Sequence, residues 1–97
     1  MSTPGRRGWT LFCAEDPAGV LETIRREDRE LYDQVVLFLQ ALAIEAGVAI
    51  DADKEPPGLP MGDGRFNLDV PRLPILISYT QYPGLREFRV TDLLWLG

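Results

Sequence analysis

The pattern of apolar and polar positions changes its period once, near Gly64, and this change separates a helical part of the chain from a strand part. From Arg29 to Ala46 the apolar residues recur three and four positions apart, which is typical of a helix that buries one stripe. The stripe consists of Leu31, Val35, Leu39, Leu42 and Ala46. From Arg65 to Val70 the apolar residues instead alternate with polar ones, which is typical of a half-buried strand.

The residues before this helix predict a short strand and another helix. Residues Trp9 to Ala14 (WTLFCA) are rich in aromatic and β-compatible types and predict a first strand. Asp16 and Pro17 then signal a helix start, because Asp caps a helix N-terminus and Pro fits the first helical position. Over 17–26 the apolar residues share one face, so we expect the first helix there.

A second helix start is indicated at Asp28. The sequence is compatible with two helices or with one long helix kinked near Glu27 and Asp28, and we favour two. Gly47 is expected to end the second helix, because glycine readily adopts the left-handed conformation at a helix C-terminus. Residues 48–63 (VAIDADKEPPGLPMGD), with three prolines and two glycines, predict a surface loop that opens at most with a short extended piece, Val48 to Ile50.

The C-terminal part predicts three strands joined as an antiparallel meander. The predicted strands span 65–70 (RFNLDV), 75–82 (ILISYTQY) and 86–96 (REFRVTDLLWL). Pro71 to Pro74 form the first turn, and Tyr82 to Leu85 favour a type II turn with a positive φ at Gly84. The order is β-α-α-β-β-β, so we expect a two-layer α+β fold in which both helices pack on the apolar face of the sheet.

Composition and charge narrow the class of protein. The 97 residues, 45% hydrophobic and 26% charged, suit a soluble globular chain, so we expect one domain over 8–97 after a disordered tail over 1–7. The net charge of −5 disfavours binding to nucleic acid by overall electrostatics. The apolar run from Trp9 to Cys13 is too short for a secretory signal, and no uninterrupted apolar window is long enough to span a membrane. We therefore expect a cytoplasmic location.

The residue inventory excludes several kinds of chemistry. The chain has no histidine, which removes Ser-His-Asp and Cys-His catalysis and histidine zinc sites. Its one cysteine, Cys13, cannot form an internal disulfide or a multi-thiolate site, and we expect a buried, inert thiol. Asp51, Asp53 and Glu55 (in DADKE) resemble part of a cation-binding loop, but the later Glu and the central Gly of a calcium loop are missing. We interpret them as solvated acids and expect neither a metal nor a cofactor.

Three stretches carry a resemblance to a known family. They are Leu11 to Leu21 (LFCAEDPAGVL), Leu31 to Leu42 (LYDQVVLFLQAL) and Gly58 to Tyr79 (GLPMGDGRFNLDVPRLPILISY). In their order of strand, helices, loop and antiparallel strands, they resemble the RelE/ParE toxin superfamily of toxin–antitoxin systems. The resemblance implies a toxin-like protein that is either a ribosome-dependent mRNA endonuclease or an inhibitor of DNA gyrase. It also implies a cognate antitoxin as the partner.

The resemblance further implies candidate site residues. A site that cleaves RNA needs cations that hold the phosphate, together with a base and an acid. Arg65 is the best match to a phosphate-holding position, and Arg72 and Arg89 are further candidates for the same catalytic patch. Lys54 matches a basic position in the loop and is, with Arg65, a candidate for RNA binding, while Tyr79 and Tyr82 are candidate acids. The alternatives are solvated surface charges for the arginines and core packing for Tyr79.

The end of the chain departs from the nuclease branch of the family. Where that branch offers Arg, His or Tyr after the last strand, this chain has Leu94-Trp95-Leu96-Gly97. Leu94, Trp95 and Leu96 are candidate partner-binding residues, because alternation in a two-layer fold buries only about half of such a run. They would contact an antitoxin or a second copy of the chain, unless the first strand and the helices cover them. The alternative to a toxin is therefore a non-catalytic interaction module on the same scaffold.

Overall fold

A strand, two helices and four further strands make up the part of the chain that the structure describes, residues 8–96 of a computed structural model. The elements are β1 (Thr10–Cys13), α1 (Glu15–Glu27), α2 (Arg29–Asp51), β2 (Leu59–Gly62), β3 (Arg65–Asp69), β4 (Ile75–Tyr82), a 3-10 turn (Pro83–Leu85) and β5 (Glu87–Trp95). The predicted α+β class is confirmed, with one more strand than expected. The tail predicted over 1–7 lies outside the described residues, as does Gly97.

The five strands form one mixed sheet in the order β1-β5-β4-β3-β2. β1 runs parallel to β5, while β5, β4, β3 and β2 pair antiparallel in turn, so the predicted meander over β3, β4 and β5 is present. The pairing of β4 with β5 shifts register between Ser78 and Tyr79. β1 and β2 are therefore the two edges of the sheet.

The core lies between the helices and one face of the sheet. Ile24 of α1 and Val35 of α2 are fully buried, as are Tyr79 of β4 and Phe88 and Val90 of β5. The Tyr79 ring packs edge-on against Phe88 with centroids 5.7 Å apart. Because successive strand side chains point to opposite faces, this packing leaves the other face of the sheet without a helix among residues 8–96.

The break between the helices is made by Asp28, and the prediction of two helices is confirmed. The Asp28 carboxylate accepts a hydrogen bond from the backbone N–H of Leu31 at 3.1 Å, which satisfies one of the free donors at the start of α2. The Asp28 N–H donates in turn to the Ile24 carbonyl at 2.7 Å and closes α1. One residue thus ends one helix and starts the next.

The prediction that Gly47 ends the second helix is wrong, and so is the extended piece at Val48 to Ile50, because α2 continues to Asp51. Gly47 is buried inside the helix, where a Cβ would stand 2.6 Å from Cδ1 of Trp9. The glycine is needed for the close approach of the Trp9 ring and not for a helix end.

Two turn predictions also fail. The segment read as a loop over 48–63 contains β2, which pairs with β3 through Leu59 opposite Asn67 and Pro60 opposite Phe66. The type II turn predicted around Gly84 is a 3-10 turn, and the positive φ falls on Arg86, at 53°. The prolines in this segment argue against a strand, because proline is unfavourable in strands except at the edge of a sheet. β2 lies at such an edge.

By length and composition, α2 is apolar enough to cross a membrane. Its apolar stripe is nevertheless packed in the core of a compact fold, with Val35 and Ala46 fully buried. Leu37, Ile44 and Val48 remain exposed on the side of α2 that faces away from the core.

Candidate functional site

The face of the sheet that points away from both helices, called here the open face, carries most of the residues predicted to be functional. Along β4, Leu76, Ser78 and Thr80 belong to this face, because they alternate with the buried Ile75, Ile77 and Tyr79. The strand register then decides which side chains of β3 and β5 lie beside them.

Arg65 and Arg89 lie in one row of the open face, on either side of Thr80. Thr80 is paired with Arg65 on β3 and with Arg89 on β5. Neighbouring strands lie about 4.8 Å apart, so the two arginine Cα atoms are separated by about 10 Å. The sequence left open whether these two residues meet, and the register brings them together.

The two arginines differ in their surroundings. Nη2 of Arg89 lies 3.3 Å from Oε1 of Glu87, and its guanidinium lies 5.0 Å from the centre of the Tyr82 ring. Arg65 is exposed and has no ion-pair partner within residues 8–96. Because exposed ion pairs contribute little free energy, both guanidinium groups can turn toward an incoming anion.

Arg72 does not join this row. It lies in the turn between β3 and β4, in a left-handed conformation with φ of 68°, beside a depression lined partly by Leu37 and Phe38 of α2. β3 separates this turn from Arg65 by about 13 Å, at about 3.3 Å per residue. A single patch of Arg65, Arg72 and Arg89 is therefore not formed.

Tyr79 lies on the opposite side of the sheet from Arg65 and Arg89. Its ring is fully buried, and its hydroxyl donates a hydrogen bond to the carbonyl of Pro57. Burial, with a smaller contribution from the Glu45 carboxylate, raises the pKa of the Tyr79 phenol. Its position matches the core-packing alternative, and it cannot reach a phosphate held on the open face.

Lys54 belongs to the turn that closes α2. Its N–H donates to the Ala49 carbonyl at 2.8 Å, and its side chain is exposed in the helix layer. The structure therefore separates the two residues proposed to bind RNA, Lys54 and Arg65, between the two layers of the fold.

The apolar end of the chain divides between the two faces of the sheet. Trp95 pairs with Ile75 on the core side and is partly buried. Leu94 pairs with Leu76 on the open face, and the Leu94 and Leu96 residues are 55% and 63% exposed. Of the three predicted partner-binding residues, the two leucines are thus accessible and the tryptophan packs against the core.

A groove of about 330 Å³ runs beside Leu94 on the open face. Its floor is formed by β3 and β4, and one side is formed by Leu59 of the edge strand β2. Asn67, Ser78 and Asp92 line its middle, where Oγ of Ser78 donates a hydrogen bond to Oδ1 of Asn67 at 2.5 Å, and Asp69 also lines the groove. The open face therefore changes from a row with the apolar Leu76 and Leu94 beside Asp69, through neutral and acidic groups, to a cationic row with Arg65 and Arg89.

The prediction that the acids of the DADKE segment are solvated is wrong for Asp51, which lies at the end of α2 and is held by Arg86. Asp51 accepts hydrogen bonds from Nη1 and Nη2 of Arg86 at 3.0 and 2.9 Å, and from Nε1 of Trp9 at 3.2 Å. Within residues 8–96, no three acidic or thiol side chains cluster in a way that could hold a metal ion. The contact between Asp51 and Arg86 joins residues 35 apart in the chain, and no local sequence signal announces it.

Cys13 lies half-buried on β1, beside the helix layer. Burial raises the pKa of its thiol, which lowers the fraction present as reactive thiolate. The arrangement supports the interpretation of Cys13 as an unreactive packing residue.

Comparison of the chain with protein-family models, with curated proteins and with solved structures finds no match. The resemblance to the RelE/ParE superfamily therefore stays a hypothesis that rests on the order of elements and on the three stretches of sequence.

Proposed function

We propose that this protein is an interaction module that binds a segment of a partner protein across the open face of its sheet. The observation that carries the proposal is the exposure of Leu94, which lines a groove, and of Leu96, on a sheet face that no helix of the described part of the chain covers. In the setting that the family resemblance implies, the partner is the antitoxin of a toxin–antitoxin pair and the compartment is the cytoplasm.

The open face also specifies the chemistry of the partner segment. Leu94 and the row of Arg65 and Arg89 are separated by four residues along β4, or about 13 Å. A complementary segment carries apolar side chains at one end and carboxylates at the other. The spacing corresponds to about four residues of an extended segment or about nine residues of a helix.

The family resemblance implies a small reading frame next to the gene for this chain; the test purifies the product of any such frame and titrates it by calorimetry. Leu94→Glu places a charge in the groove, and we expect it to weaken binding at least tenfold. Leu37→Glu is the matched control, because Leu37 is 64% exposed on α2, in the other layer. Equal affinities of wild type and Leu94→Glu would rule out the open face as the binding surface.

A second candidate function is suggested by the row Arg65–Thr80–Arg89. Two guanidinium groups on either side of a hydroxyl can hold a phosphate, and a toxin of the RNA-cleaving kind would bind its target there. Of the two candidate acids, Tyr79 lies on the other side of the sheet, so Tyr82, whose ring centre lies 5.0 Å from the Arg89 guanidinium, is the proton donor that remains for this candidate.

The second candidate is tested by induced expression in a bacterial host, with growth and mRNA integrity followed together. If the row binds RNA, wild type arrests growth and fragments mRNA, and Arg65→Ala with Arg89→Ala abolishes both effects. Arg72→Ala should retain them, since Arg72 lies at the far end of the sheet. Arrest with intact mRNA would point to gyrase or another protein target, and normal growth with soluble protein would leave the interaction module.

A further inference from the structure

The outer edge of β1 presents unpaired backbone groups. The N–H groups of Thr10 and Ala14 donate to the carbonyls of Arg86 and Val90 on β5, at 3.1 and 2.9 Å. Backbone groups of a strand alternate in direction, so the N–H and C=O groups of Leu11 and Cys13 point away from β5. β1 is the edge of the sheet, and these four groups have no backbone partner within residues 8–96.

The two edges of the sheet are protected to very different degrees. β2 contains Pro60 and an irregularity between Pro60 and Gly62, and such features prevent a further strand from adding. β1, with the sequence TLFC, has no charge, no proline and no bulge. Proteins that stay monomeric usually protect such an edge, so its exposure on β1 indicates a strand-pairing surface.

An apolar groove of about 450 Å³ lies beside this edge, between β1 and α2. It is lined mainly by Leu11, Cys13, Val36, Leu39, Ala43 and Ile44. Ile44 is 70% exposed on the helix side, and Phe12 is 47% exposed on the open face. Apolar side chains therefore stand on both sides of the unpaired backbone, as they do where another strand with its own helix is added.

We propose that β1 pairs antiparallel with β1 of a second copy of this chain, which joins the two sheets into one ten-stranded sheet. The outward backbone groups fix the register, because hydrogen-bonded antiparallel pairs must join residues whose groups point outward. Leu11 then lies opposite Cys13 of the second copy, and Phe12 lies opposite Phe12 on the two-fold axis. The two Phe12 rings form a cross-strand aromatic pair, and the α2 helices approach through Ile44.

Charge at the C-terminal end of β1 favours a second copy in the antiparallel sense. At the other end of β1, Arg86 is already paired with Asp51, and its guanidinium lies 5.2 Å from the centre of the Trp9 ring. Glu15 and Asp16 follow the end of β1 and are exposed. Antiparallel pairing places Glu15 and Asp16 of the two copies at opposite ends of the paired strands, whereas parallel pairing would bring these like charges together.

The protected β2 edges explain why the assembly stops at two copies. Pairing through β1 uses the same surface on both copies and is closed by a two-fold axis. The joined sheet has a β2 strand at each end, where Pro60 and the irregularity oppose further addition. The proposed dimer surface does not include Leu94 and Leu96, so the dimer can be tested independently of the proposed function.

The first test is the mass of the full chain in solution, measured by analytical ultracentrifugation over a range of micromolar concentrations. The wild type should sediment at twice 10.9 kDa. Ile44→Glu should raise the dimer dissociation constant at least tenfold, while Leu37→Glu, at a similarly exposed position of the same helix, should leave it unchanged. Circular dichroism of both variants checks that they fold.

The second test reads the register by mild oxidation of variants that lack the native thiol, Cys13→Ala. With Phe12→Cys added, a disulfide between copies should form, because the Cα atoms of a non-hydrogen-bonded pair are about 4.5 Å apart. With Thr10→Cys added instead, no disulfide should form, since the two substituted positions are about 13 Å apart along the strands. The proposal is overturned if the wild type is monomeric and the variant with Phe12→Cys forms no disulfide between copies. It is also overturned if Ile44→Glu and Leu37→Glu raise the dimer dissociation constant equally.

Discussion

Gly47 shows how a residue that reads as a helix end can serve a packing contact in the middle of a helix. Its missing side chain leaves room for the Trp9 ring, which also stacks on Phe88 with centroids 4.6 Å apart. Trp9 in turn donates its Nε1–H to Asp51 at the end of α2. The glycine thus lets α2 continue while the residue before β1 packs against it.

Substitutions at two helical glycines should have opposite effects on stability. Gly47→Ala brings a Cβ to 2.6 Å from the Trp9 ring, and overpacking of this kind costs about 1–3 kcal/mol. Gly19→Ala in α1 meets nothing within 4 Å, and should stabilise the fold by about 0.5–1 kcal/mol, because alanine is the better helix former. Urea unfolding followed by circular dichroism measures both free energies, and a stabilised Gly47→Ala would contradict the packing role.

At the scale of elements, Tyr79 connects β4 to the chain that leads into β2. Its hydroxyl donates to the Pro57 carbonyl, so Tyr79→Phe should cost about 1 kcal/mol of unfolding free energy at neutral pH. Burial raises the pKa of the phenol in the folded state, while the unfolded value is about 10. The stability that depends on the neutral phenol is therefore complete below about pH 10 and is lost as the pH rises above it.

The pH dependence distinguishes this role of Tyr79 from simple ring packing. The free energy of unfolding of wild type should fall between neutral pH and pH 11, and that of Tyr79→Phe should fall less. The difference between the two free energies should therefore become smaller. Absorbance of the phenolate at alkaline pH should show a late step in wild type that is missing from the variant. If the free energies of unfolding of the two proteins change in parallel over this pH range, ionisation of the Tyr79 hydroxyl does not affect stability.

The elements that the sequence predicts well are those whose signal is local. β4 begins and ends where the alternation of ILISYTQY places it, and Asp28 separates the helices as a capping residue should. β2 and the continuation of α2 past Gly47 depend on distant partners, namely β3 and Trp9, so no local pattern reveals them. The candidate site divides in the same way, because the row of Arg65 and Arg89 depends on a register that only pairing with Thr80 decides.

At the scale of the whole molecule, two surfaces are left uncovered by residues 8–96, namely the open face and the outer edge of β1. The open face is a broad surface with apolar and cationic ends, while the edge of β1 is a narrow line of backbone groups beside an apolar groove. Leu94 and Ile44, the exposed apolar residues at these surfaces, lie in different layers of the fold. Phe12 of β1 lies beside Arg89 on the open face, so a second copy paired through β1 would border the cationic end of that face and leave Leu94 free for the proposed partner segment.

This separation predicts that two substitutions act on different properties. Because binding of a second copy stabilises the folded state by mass action, the thermal midpoint of wild type should rise with protein concentration. Ile44→Glu should remove that dependence on protein concentration. Leu94→Glu should retain it and should instead weaken binding of the proposed partner segment. Since the sites share no contacts, the effects of the double variant on unfolding should add to within about 0.5 kcal/mol. Differential scanning fluorimetry over a hundredfold range of concentration measures this, and loss of the dependence in Leu94→Glu would show that the two surfaces are one.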